Sequence, residues 1–140
     1  MSTAAAVFAP LFAQVALVFV LLFWMGWLRV RDVRGHAVKM GDIALGERAW
    51  PKQTQQAANC FSNQFEAPVL FYVLTGLQWV LGAFDEISVA MAWAFVISRY
   101  AHAAEFVGRN NVSVRAGLYG IGVMVLFGSW VLFAVRVFSS

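Results

Sequence analysis

The first twenty-eight residues, Met1 to Leu28, carry no charged side chain. A helix needs about 20 mostly apolar residues to cross a hydrocarbon core roughly 30 Å thick, so this run restricts the chain to a few kinds of fold. The pattern recurs downstream. Charges crowd between Arg29 and Lys52, and then Glu66 alone interrupts Gln53 to Phe84. Asp85 and Glu86 form a pair, Ile87 to Ser98 is bare, Arg99, Glu105, Arg109 and Arg115 follow, and Ala116 to Val135 is bare again. With 61% hydrophobic and 12% charged residues, against about 45–50% and about 25% in soluble domains, too little polar material exists to cover a water-soluble globule. Disorder is excluded, because it needs low hydrophobicity and high net charge.

In lipid, backbone polar groups must be satisfied within the segment, so apolar spans are helices. The expected fold class is an all-α integral membrane protein, a four-transmembrane-helix bundle, in one domain covering 1–140. The helices are expected at about 7–28, 55–84, 87–109 and 114–138. No Lys or Arg precedes Arg29, and the first apolar run exceeds that of a signal peptide, so it reads as a retained helix. The segment after it holds Arg29, Arg31, Arg34, Lys39, Arg48 and Lys52, the turn after the second helix holds no cation, and the third connection holds Arg109 and Arg115. The bias of Lys and Arg towards the cytoplasm predicts a multi-pass protein with cytoplasmic loops 29–54 and 108–114 and both termini on the other side. Arg136 dissents. Trp24, Trp27 and Trp79 suit an interfacial belt, and Trp93 and Trp130 read as packing residues. Small residues at four-residue spacing, Ala90, Ala94 and Ser98, then Ala116 and Gly120, predict close helix approach.

A charged side chain at the bilayer centre costs roughly 2.5–3.5 kcal/mol on insertion scales, which makes each one a functional candidate. Gln55, Asn59, Ser62, Asn63 and Glu66 fall on one helical face. Pro68 removes a backbone donor and is expected to bend the helix there. Arg99, His102, Phe106 and Arg109 share a narrow arc. Arg115 and Tyr119 lie four apart, after a turn in which Asn110, Asn111 and Ser113 offer an N-cap. Together they predict a polar pocket at the cytoplasmic helix ends, richer in cation than anion. It suits a carboxylate-bearing peptide, a phosphate headgroup or a thiolate. The plainer reading is that Asn63 and Glu66 hold helices together and Arg115 snorkels to the headgroups. Metal binding is not expected, since His36 and His102 are the only histidines and His102 with Glu105 supplies at most two ligands. Cys60, the single cysteine, reads as an inert packing thiol. Nothing suggests a nucleic-acid partner.

Two blocks resemble the MAPEG family, the membrane-associated proteins in eicosanoid and glutathione metabolism. Asn63-Gln-Phe-Glu66-Ala-Pro68 is similar to that family's Asn-x-x-Glu signature followed by proline. Arg99 through His102 to Arg115 and Tyr119 resembles its third-helix arginine and fourth-helix arginine–tyrosine pair. The resemblance covers nearly the whole chain, as a single MAPEG-like membrane domain of the bacterial type. It implies a homotrimer with glutathione as co-substrate bound between subunits, and a transferase or peroxidase acting on lipophilic electrophiles. Arg115 then stands where the family's arginine stabilises the glutathione thiolate, and Asn63, Glu66, Arg99, His102 and Tyr119 stand where the tripeptide is held. Arg29 or Arg31 corresponds loosely to a further cation. Asn59 and Ser62 stand where family members often carry arginine, and Phe106 where tyrosine is common. Those departures favour the alternative, a non-catalytic membrane protein that binds a lipid headgroup or a protein partner in the same pocket.

Overall fold

The computed structural model describes residues 3–44 and 49–139. Arg48, counted above among the loop cations, lies outside them. The described residues contain helices and turns and no strand. Helix α1 spans Thr3–Arg34, α2 Met40–Ile43, α3 Lys52–Ser62, α4 Ala67–Val80, α5 Glu86–Val107 and α6 Val112–Ser139, and a 3₁₀ turn, Asn63–Phe65, joins α3 to α4. Among the described residues, α1 and α6 are the two helices long and apolar enough to cross a membrane. The chain is thus all-helical and suited to a lipid bilayer.

Three elements differ from the sequence expectation. Helix α1 does not stop at Leu28 but continues to Arg34. The overrun is anchored: Asp32 is buried, and it accepts hydrogen bonds from the Thr54 hydroxyl on α3 and from Arg31. The expected helix 55–84 is not continuous. It breaks at Glu66, whose φ of −95° and ψ of −107° leave the helical region. Pro68 explains the break better than a bend would. It cannot donate to the carbonyl of Gln64, so the chain stops and restarts with Pro68 in the first turn of α4, where a missing N–H costs little. Helix α4 then ends at Val80, in a turn where Gly82 takes φ +62° and Ala83 and Gly82 donate to the carbonyls of Gln78 and Trp79.

Helices α5 and α6 form an antiparallel pair closed at both ends. At one end Asn111 caps α6, its Oδ1 accepting from the Ser113 and Val114 amides. At the other, Asp85 caps α5 by accepting from the Ser88 amide at 2.8 Å, while Arg136 of α6 donates to both Asp85 and the Ser88 hydroxyl. Arg136 is therefore held by Asp85 and Ser88 at the end of the helix pair. The Asp85 carboxyl is held below its ordinary value of 3.8, first by the Ser88 amide and then by the Ser88 hydroxyl and Arg136, against the opposing effect of burial.

Close approach of the pair occurs at Ser98 and Gly122, where a Cβ on Gly122 would sit 2.5 Å from Ser98 Oγ. The other small residues named above do not pack this way. Ala90, Ala94 and Ala116 are exposed, and Gly120 has open space beside its α-carbon. Trp93 is exposed too, so it is not a packing residue within this chain; Trp130 does pack against the core.

Besides a small cluster of Met25, Leu28 and Ala57 between α1 and α3, the buried apolar residues form two regions. Phe71, Leu74, Phe95, Val96, Leu126 and Phe133 join α4, α5 and α6. Leu17, Leu21, Cys60, Ala103 and Phe106 join α1, α3 and α5. Fully buried Gln14, Gln64 and Arg99 belong to neither.

Candidate functional site

The break between α3 and α4 brings Asn63 and Glu66 face to face with α5 and α6. Asn63 sits in the 3₁₀ turn, and its Nδ2 donates to Glu66 Oε2 at 2.9 Å. Its Oδ1 accepts from an Arg99 guanidinium nitrogen at 2.5 Å, and its carbonyl accepts from the same nitrogen at 3.4 Å. Tyr119 donates to the same Glu66 oxygen at 3.4 Å. The Arg99 guanidinium lies 5.4 Å from the centre of the Tyr119 ring, close enough for a cation–π attraction. Among the described residues Glu66 makes no ion pair. Its charge reaches Arg99 through the Asn63 amide, which accepts from the cation and donates to the anion.

His102, one turn beyond Arg99, is 3% exposed. Its Nδ1 lies 3.0 Å from the Arg115 carbonyl. A carbonyl only accepts, so Nδ1 carries a proton, and in the neutral imidazole Nε2 keeps its lone pair. Nε2 is buried and, among the described residues, has no hydrogen-bond partner. The imidazole packs against Phe106 and Tyr119, with ring centres 5.7 Å apart in each case. The Arg115 guanidinium lies over the Phe106 ring, 3.8 Å from its centre, and donates to Asn110 Oδ1 at 2.5 Å. Phe106, which has no hydroxyl to offer a ligand, thus supports the guanidinium instead.

Asn63, Glu66, His102, Arg115 and Tyr119 line one open hollow of about 310 Å³, completed by Phe106, Val112 and Ala116. Of the six candidate site residues only Arg99 stands behind the wall; it is 1% exposed and acts on the hollow through Asn63. A second hollow of about 600 Å³ shares Glu66 and Tyr119 with the first and is otherwise lined by Ala67, Leu70, Val123, Leu126, Phe127 and Trp130.

Other residues of the polar stripes lie elsewhere. Arg109 follows the end of α5 and is exposed, so it does not extend the Arg99–His102–Phe106 face. Asn59 is exposed and accepts from Gln55 on its own helix. Arg29 stacks on Trp50, and Arg31 bonds Asp32 and Gln53, so neither lines the hollow. Two residues near the site had no sequence signal: Gln56, which donates to the Phe106 carbonyl, and Gln14, which bonds Gln64. Both are neutral amides, invisible to a reading that follows charge. Among the described residues no three His, Cys, Asp or Glu side chains gather at one point.

The family model described as the MAPEG family matches residues 7–135, which takes in every residue of this constellation. The chain belongs to the MAPEG family. No curated protein sequence and no solved structure matched it. MAPEG proteins include glutathione-dependent transferases and peroxidases as well as non-catalytic members, so membership leaves the chemistry of this MAPEG chain to be argued from its own residues.

Proposed function

We propose that the polar hollow binds glutathione and that this MAPEG protein is a transferase or peroxidase acting on lipophilic electrophiles. The observation that carries the reading is the shared wall: a polar, hydrogen-bonding hollow and an apolar one meet at Glu66 and Tyr119. An anionic tripeptide in the first lies beside a lipophilic partner in the second. Such a shape suits a bimolecular reaction, because holding both reactants together removes much of the entropic barrier.

In this reading Arg115 stabilises the thiolate. A thiol is a nucleophile only after its proton leaves, and a fixed cation lowers the cost of that loss. Phe106 and Asn110 hold the guanidinium in place. The thiol proton passes to water, the sulfur attacks the electrophilic atom, and the displaced group departs. Asn63, Glu66, His102 and Tyr119 hold the tripeptide, with Arg99 steadying Asn63. Glu66 suits an ammonium group, and the His102 lone pair suits an N–H donor.

The reading also places four spans in the membrane, both termini away from the cytoplasm, and three copies in the working unit. The polar face of Asn59, Ser62 and Glu66 and many large apolar side chains are exposed on the single chain, which supports further burial against lipid and other copies. Arg115→Ala should abolish conjugation of glutathione to a lipophilic aryl halide while leaving the assembled protein intact. Unchanged turnover would exclude the mechanism.

A non-catalytic reading draws on one feature. Asn59 and Ser62 put no cation on the exposed stripe of α3, so the Arg and Lys side chains in the wall of the hollow come down to Arg115, with Glu66 opposing it. Glutathione binding without turnover, or a preference for a phosphate headgroup, would favour it.

A further inference from the structure

Gln14 sits within the longest uncharged run of the sequence, and none of its surface is exposed. An amide buried away from water is costly unless its hydrogen bonds are made. Its Nε2 donates to Gln64 Oε1 at 3.1 Å, and its Oε1 is buried with no partner among the described residues, so the Gln64 bond is the one that holds it. Gln64 is fully buried as well, and its own Nε2 donates to the Cys60 carbonyl at 3.1 Å. Cys60 lies in the last turn of α3, where carbonyls lose their helical partners. Gln64 lies in the 3₁₀ turn that separates α3 from α4. Its sequence neighbour is Asn63, and Glu66 follows two residues later. The chain of bonds therefore runs from α1 to the backbone break that carries Asn63 and Glu66, two of the polar residues of the hollow.

We propose that Gln14 and Gln64 form a latch at membrane depth that fixes the α3–α4 break and thereby positions Asn63 and Glu66 for their ligand. Its consequence for glutathione rests on the reading above; the latch itself does not. Neither glutamine lines the hollow, so both are positioning residues and not ligand contacts. The physical need is specific. The i+4 ladder of α3 ends with the Asn63 N–H on the Asn59 carbonyl and the chain passes into the 3₁₀ turn, so the Cys60 carbonyl stands where the regular ladder stops. In lipid no water replaces it. The Gln64 amide supplies the missing donor to Cys60, and Gln14 fixes that amide from the neighbouring helix.

The test uses the full chain in nanodiscs, as wild type, Gln14→Leu, Gln64→Leu, the double variant and Gln64→Glu. A protonated glutamic acid keeps both an acceptor for Gln14 and a donor for Cys60. Hydrogen exchange of peptides covering 60–70 should rise about tenfold in each leucine variant, the equivalent of one ordinary hydrogen bond. It should rise no further in the double variant, because one chain of bonds breaks once, and it should stay slow in Gln64→Glu. Unchanged exchange in the single variants, or additive increases in the double, would overturn the latch. Should Gln14→Leu fail to assemble, Gln14→Asn carries the same comparison. Glutathione kinetics give the second readout: KM up about tenfold and kcat within about twofold, since Arg115 stays in place. A parallel fall in kcat with restored KM would mark a merely structural role. A wild type that ignores glutathione defeats the functional reading, and exchange still decides the latch.

Discussion

Arg99 is a cation with 1% of its surface exposed and, among the described residues, no carboxylate in direct contact. Burying a guanidinium is costly unless its hydrogen bonds are met; here one guanidinium nitrogen donates to the side chain and carbonyl of Asn63, while Nε is buried with no partner among the described residues. Arg99→Leu removes the charge together with its desolvation cost, so stability should change little. Asn63 then loses its orientation, and glutathione affinity should fall at least about tenfold. Arg99→Lys should not restore it, because an ammonium lacks the planar fork. Titration of both variants checks this. Gly122 offers a test that involves no ligand. Gly122→Ala forces its new carbon against Ser98 Oγ, which is held by a 2.6 Å bond to the Phe95 carbonyl. A loss of about 1–3 kcal/mol is expected from overpacking. Adding Ser98→Ala should recover most of it, since the remaining contact to the Cβ at 3.6 Å is ordinary. Thermal melts in detergent measure both.

The clamp between α5 and α6 makes a prediction at the scale of elements. Asp85 caps α5 and binds Arg136, and its carboxyl sits below the ordinary 3.8. A depressed folded value stabilises the ionised protein, so the contribution is complete above 3.8 and disappears as the pH drops through the folded value. Asp85→Ala should cost about 1 kcal/mol at neutral pH, the usual worth of an N-cap. The gap from wild type should close in acid. Melting temperatures of the two proteins across pH give the comparison; a gap that widens in acid would contradict the assignment. The elements also show what a sequence can reveal. Long bare runs mark α1 and α6 because membrane helices need them. The end of α1 is hidden, because Asp32 looks like a loop residue until Thr54 is seen to bury it. The break at Glu66 is hidden because the polar residues from Gln55 to Glu66 keep helical spacing up to the fracture; Pro68 alone hints at it.

Across the whole molecule, the charged members of the site were legible because charge in an apolar segment is expensive and stands out. Asn63, Glu66, His102, Arg115 and Tyr119 do meet at one hollow, although they come from three separate elements. The neutral amides that support them, Gln14, Gln56 and Gln64, left no mark, since an amide in an apolar run resembles many harmless ones. The apolar hollow was illegible as well, because leucine, valine and phenylalanine line lipid and ligand alike. Assembly belongs to this scale. Three copies of the 15.5 kDa chain are expected in one particle, and the protein mass within a detergent micelle, from light scattering, checks it. The most direct measurement is calorimetric titration of the detergent-solubilised protein with glutathione. Saturable heat in the wild type, lost in Arg99→Leu and Glu66→Leu, is the expected result. Absence of heat at high ligand excess in a folded, assembled wild type would contradict the central claim.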